Sequence, residues 1–201
     1  MGNGLTRMNG SLPRLEVSIK NHLAPILRSD GFFGNGRNFR RLASDLIQVV
    51  RVQGAREGGR FAINLAIQPL AAPDTLGVAP DPARIVADLC QFRRRLSEHG
   101  PDQWWDYGAS QESMDEAEAK AAAVYALIGR RLFSEQSGPE CPLRSVTPEQ
   151  FKTGDFDFSG FASTKVSMAR TLSIMRRAAG NADHQRAFAQ IGLALQLRIS
   201  P

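Results

Sequence analysis

A chain of 201 residues with 42% hydrophobic and 22% charged side chains fits one soluble-type domain, able to bury roughly 70% of its unfolded surface without a disulfide or a metal. Nothing approaches the ~18 consecutive apolar residues of a membrane span. The net charge of +5 comes from twenty-one Arg against four Lys, scattered without a run of five like charges. That distribution fits compositional bias better than a nucleic-acid patch.

The first ten residues, rich in Gly and Asn, read as a disordered tail, and residues 11–201 as a single domain. Met1-Gly2-Asn3-Gly4-Leu5-Thr6 fits an acylation pattern, but no basic cluster follows to reinforce a single acyl chain, so no membrane partner is expected. The same stretch lacks the apolar core of a secretory signal, and a cytoplasmic location is expected. Over residues 12–28, Leu15, Ile19, Leu23, Ile26 and Leu27 recur at three and four residues. This is an amphipathic helix, bent by Pro25 in its last turn and stopped by Asp30-Gly31.

Residues 31–70 carry the strongest pattern. Asn35-Gly36 turns the chain into a strand over 37–43, Ser44-Asp45 leads into a second over 46–52, and residues 54–59 close a hairpin onto 61–69. In the last strand Phe61, Ile63, Leu65 and Ile67 fall on one face, and Ala62, Asn64, Ala66 and Gln68 on the other. The expectation is an antiparallel sheet with one apolar face and one amide-bearing face left for a partner.

A Pro-rich loop occupies 71–82. A further strand over 88–96 places Gln91, Arg93 and Arg95 on one face and Cys90, Phe92, Arg94 and Leu96 on the other. Residues 102–107 read as a short strand or ordered loop in which Trp104 and Trp105, being adjacent, point opposite ways. Helical pattern returns over 110–133, where Glu112, Asp115, Glu116 and Glu118 read as a solvated acidic face. After a loop at 136–144, Thr147 and Gln150 form a capping-box start, and Phe156, Phe158 and Phe161 anchor the next connection. Two helices over 163–179 and 182–197 share an apolar stripe (Val166, Leu172, Met175; Phe188, Ile191, Leu195), an antiparallel pair. The fold class is α+β: an antiparallel sheet of about four or five strands packed on one face by helices, with a C-terminal helical hairpin. Its C-terminal helices span about 147–198.

No catalytic or metal pattern is present. His22, His99 and His184 have no ligand partner at three or four residues, and Cys90 and Cys141 read as buried or inert thiols in a reducing cytoplasm, with a disulfide between them as the alternative. Gly31, Gly34 and Gly36 precede a strand, so they are turn residues and not a phosphate cradle. No metal, cofactor or catalytic residue is therefore assigned. The candidates are binding residues: Gln48, Asn64, Gln68, Arg93, Arg95, Asp102, Trp104 and Trp105. If strand 88–96 lies beside 61–69, then Asn64, Gln68, Arg93 and Arg95 share one polar field, whose guanidinium forks suit carboxylates or phosphates. Asp102 reads as a partner for Arg, and an exposed Trp as a contact point.

The succession Gly31, Phe32, Asn38, Phe39, then Asp45, Gln48, Gln53, then Phe61, Asn64, Leu65, then Arg95, Asp102, Trp104, Trp105 resembles the bacterial family called domain of unknown function 4304. The likeness covers about 15–133, and the chain departs from it in the loop at 71–82 and the glycine-rich start. The resemblance implies a small α+β protein with no activity to transfer, and a likeness to immunity-type proteins found near toxin genes. The leading reading is non-enzymatic binding of a protein partner, such as a toxin, through the polar sheet face and the Trp loop. A small-ligand protein or enzyme with a pocket on that face, and a nucleic-acid binder, are the competing readings.

Overall fold

The computed structural model describes residues 14–198; the tail expected at 1–10, with its acylation-like start, and Leu12 lie outside them. The chain enters through two short helices, α1 (Leu15–Asn21) and α2 (Leu23–Ser29), where a single one was expected. The break at His22 follows from Pro25. Proline has no N–H for the carbonyl of Asn21 and its ring crowds that carbonyl, whereas in the first turn of a new helix neither matters.

A meander follows: β1 (Phe33–Asn35), β2 (Asn38–Ala43), β3 (Leu46–Gly54) and β4 (Arg60–Pro69) pair antiparallel in chain order. The β1–β2 turn needs glycine at residue 34: its φ is +128°, and a Cβ there would run into the carbonyl oxygen of Asn38. β5 (Phe92–Arg95) pairs with the middle of β4, Asn64 to Ile67, and β6 (Trp105–Asp106) with its first two residues, giving a six-stranded sheet. Ala162 closes the outer edge of β5 through two backbone hydrogen bonds to Arg93, of 3.1 and 3.0 Å.

The helical face is as the alternation predicts. Phe61, Ile63, Leu65 and Ile67 are fully buried in the main core, and Trp105 stacks on Phe61 with ring centroids 5.8 Å apart. α3 (Gln111–Val124), capped by Ser110, continues through a π turn (Tyr125–Gly129) into α4 (Arg130–Glu135). Gly129 is needed there because a Cβ would lie 2.5 Å from Cδ2 of the Tyr125 ring. After α5 (Pro142–Ser145), the expected capping box of Thr147 and Gln150 opens α6 (Pro148–Thr153). Phe156 stacks on Phe151 and packs against Phe158, pinning the connection to the final hairpin. That hairpin is α7 (Lys165–Ala178) and α8 (Ala182–Leu197), joined across Leu172, Met175, Phe188 and Ile191.

The opposite face departs from expectation: much of it is covered. Ile47, Val49 and Ala66 form a second small core with Ile85, Ala87 and Cys90 from the long loop after β4. The physical reason lies in β3, which is apolar at both alternating sets of positions and so has to be buried on both sides. Gln68 ties the loop down: its amide donates to the carbonyls of Ala72 (2.7 Å) and Pro73 (3.3 Å), and its oxygen accepts from the backbone N–H of Gln91 (3.0 Å). Arg40 reaches across from β2 to the carbonyls of Ile85 (2.5 Å) and Arg84 (3.0 Å). The strand expected over 88–96 shortens accordingly. A 3₁₀ turn (Ala87–Leu89) precedes β5, and Cys90 joins the loop-side core, not the helical one. Burial there pushes its thiol up to about 12. Both cysteines are buried and unpaired.

Candidate functional site

What stays uncovered on the loop-side face is its other end, where the register sets amides and guanidiniums side by side. Asn64 lies opposite Arg51 of β3 and opposite Arg95 of β5, and Ala66 opposite Arg93. Side chains of directly paired residues share a face, so Arg51, Gln53, Asn64, Arg93 and Arg95 project together.

Arg95 is the hub. Its Nε donates to Asn64 Oδ1 (3.3 Å), Nη1 to Asp102 Oδ1 (2.7 Å) and Nη2 to Gln53 Oε1 (3.2 Å). The Gln53 oxygen also accepts from Asn64 Nδ2 at 3.0 Å. The guanidinium carbon of Arg95 lies 4.6 Å from the Trp104 ring centre, and that of Arg60 lies 5.1 Å from it. With its side chain only 19% exposed, Arg95 is held on all three nitrogens and stacked on an aromatic ring. Its charge-assisted bonds are partly withdrawn from water, where each contributes more than a surface ion pair would.

Arg93 is different. It is exposed and gives one donor to the carbonyl oxygen of Asp88 (3.3 Å). The Asp88 carboxylate pairs instead with Arg51. Asn64, Asp88, Arg93, Arg95, Pro101 and Asp102 line a cleft of about 410 Å³.

Of the residues singled out from sequence, the fold brings Asn64, Arg93, Arg95, Asp102 and Trp104 together and leaves three elsewhere. Gln68 lies on the same face but is sealed under the loop it anchors. Gln48 lies opposite Ile67 and so points to the helical side. There it accepts from Arg41 Nε (2.6 Å) and donates to the Phe133 carbonyl (3.2 Å) and Ser137 Oγ (2.8 Å), a buried tie between sheet and α4. Trp105 is core. Among the residues not singled out, Arg51 and Gln53 were legible, since alternation from Ile47 and Val49 carries them outward. Asp88, in a 3₁₀ turn, has no such signal.

The acidic stretch of α3 is not uniformly solvated. Glu112 and Glu116 are exposed, whereas Asp115 accepts from Ser18 Oγ (2.5 Å) and Gln111 Nε2 (3.0 Å), which hold its carboxyl below the usual range. Glu118 is fully buried, neither oxygen has a hydrogen-bond partner, and burial pushes its carboxyl up to about 8. Among the described residues no group of three or more His, Cys, Asp or Glu is placed to hold a metal ion, and no helix is long and apolar enough to cross a membrane.

Fold and site together define an α+β protein built on an antiparallel meander, with an arginine-centred polar cleft on one face. A family model described as Domain of unknown function (DUF4304) matches residues 23–126, just over half of the chain, and the chain belongs to that family. The match runs from α2 into the π turn after α3, and so takes in the whole sheet and the cleft. No curated protein and no solved structure matches the chain. Gln53, Asn64, Arg95, Asp102 and Trp104, which carry the family resemblance in the sequence, are the members of the hydrogen-bonded and stacked cluster.

Proposed function

We propose that this is a non-enzymatic binding protein that docks a carboxylate-bearing segment of a protein partner in the cleft at Arg93, next to the Arg95–Trp104 stack. The observation that carries the reading is the division of labour between neighbouring arginines. Arg95 is immobilised by four residues of its own chain, while Arg93, two residues away on the same face, keeps most of its donors for another molecule. A rigid frame beside a guanidinium with unused donors is the arrangement that lowers the ordering cost of an interface. Blocking a toxin, as the resemblance to immunity-type proteins implies, is one use of such a surface. A reducing cytoplasm is its proposed compartment, in keeping with two buried, unpaired thiols.

Nucleic-acid binding is the less favoured reading because Arg51, Arg60 and Arg95 each face a carboxylate, of Asp88, Glu57 and Asp102 respectively. That pairing lowers the positive potential that phosphate contacts need. A small-ligand site gains support from the cleft's volume of about 410 Å³, but charged and amide groups line it where such sites are mostly apolar.

The test is affinity capture from the source cell with wild type, Arg93→Ala and Arg93→Glu, followed by calorimetry on the purified partner. Arg93→Ala should weaken binding about tenfold and Arg93→Glu more, as expected for a desolvated charge contact. Equal affinity of all three proteins would remove the cleft from the interaction.

A further inference from the structure

The C-terminal helices lie outside the family match and carry a concavity of their own. It has a volume of about 340 Å³ and sits where the last turn of α6, the first residue of α7 and the end of α8 converge. Phe151 and Ile191, 2% and 8% exposed, form its floor, and Leu195 its wall. The edge-on packing of Phe151 against Phe188, with centroids 5.7 Å apart, holds the floor in place. Lys152, Lys165 and Arg198 stand exposed around the rim.

Among the described residues no carboxylate lies within ion-pair distance of any of the three, whereas the surface arginines Arg37, Arg131 and Arg186 are paired with Glu16, Glu135 and Asp183. Three cations from three separate elements around an apolar floor complement one kind of molecule: an apolar body ending in an anionic head. The size favours a small molecule over a protein. Ligand sites start at roughly 300 Å³, whereas a stable protein interface engages about 20–30 residues a side.

We propose that this groove binds a medium-chain alkyl carboxylate. The alkyl chain lies along Phe151, Ile191 and Leu195, and the carboxylate sits among Lys152, Lys165 and Arg198. The site is independent of the sheet cleft and of the reading given to it.

The probe is decanoate, kept below its micelle-forming concentration, titrated into the full chain and followed by amide NMR and calorimetry. Shifts are expected only in α6, at the start of α7 and in the second half of α8. Lys152→Ala/Lys165→Ala, both at exposed positions, should bind about ten times more weakly, and decanol should lose about as much relative to decanoate. Leu195→Asp, checked for an unchanged thermal melt, should abolish binding. The proposal is overturned by shifts spread across the sheet, which would mark detergent action. Equal affinity of the double lysine variant, equal binding of decanol, or occupation of the groove by an acidic amphipathic peptide but not by decanoate would overturn it as well.

Discussion

The buried carboxyl of Glu118 makes a contribution to stability that falls as pH rises, and one substitution isolates it from the opposite contributions of Glu16 and Asp115. Glu118 lies on the inner side of α3 with Met114, Ala117 and Ala121, and nothing donates a hydrogen bond to either oxygen. Desolvation is therefore unopposed, and the carboxyl moves from an ordinary 4.5 to about 8 in the folded protein. Below pH 4.5 the group is protonated in both states and has no effect on the pH dependence. Above it, the unfolded chain releases the proton while the folded protein keeps it, so the folded state binds more protons and loses stability with rising pH. At ~1.4 kcal/mol per unit of separation, about 3 kcal/mol is gone by pH 7 and about 5 kcal/mol above pH 8. Glu118→Gln keeps the shape and removes the titration. In urea unfolding at pH 5, 7 and 8.5, the variant should begin close to wild type and exceed it by about 3 kcal/mol at pH 7, the gap widening at pH 8.5. A gap that stays constant over these three values would refute the reasoning, because it would mean Glu118 titrates alike in both states.

Two further outcomes bear on the scaffold. Gly129→Ala should cost about 1–3 kcal/mol in urea unfolding, although the same change in an unobstructed helix interior is favourable by ~1 kcal/mol, because the added carbon meets the buried Tyr125 ring; a neutral result would place that ring elsewhere. Gln68→Ala should release the loop after β4, seen as faster hydrogen exchange at the amides of Thr75 and Gln91 while the amides of β3 and β4 stay protected, and unchanged exchange there would show that the apolar contacts alone hold the loop.

The strand assignments were legible because they depend on neighbours in the chain. Period-two alternation put Phe61, Ile63, Leu65 and Ile67 inside, and turn chemistry at Asn35-Gly36 and over 54–59 located the hairpins to within one or two residues. The same local logic set Arg93 and Arg95 on one face of their strand, and Thr147 with Gln150 at a helix start, whereas Asn64 joins the two arginines only through the pairing of β4 with β5. Gln48 escaped it. Its side is decided by the count from Leu46, which puts it with Leu46 and Val50, on the helical side.

Alternation along the sequence by itself determined which side of a strand each residue takes, since successive side chains must diverge by geometry. Only the tertiary structure decided which of those sides meets water. Burial is set by chain segments far away in sequence: the loop carrying Ile85 and Cys90 covers Ile47 and Val49, and the body of the protein encloses Glu118. Arg93 and Arg95 show the division most plainly. Identical in type and parallel in orientation, they differ in what surrounds them, because Gln53, Asp102 and Trp104 converge on one guanidinium and leave the other exposed.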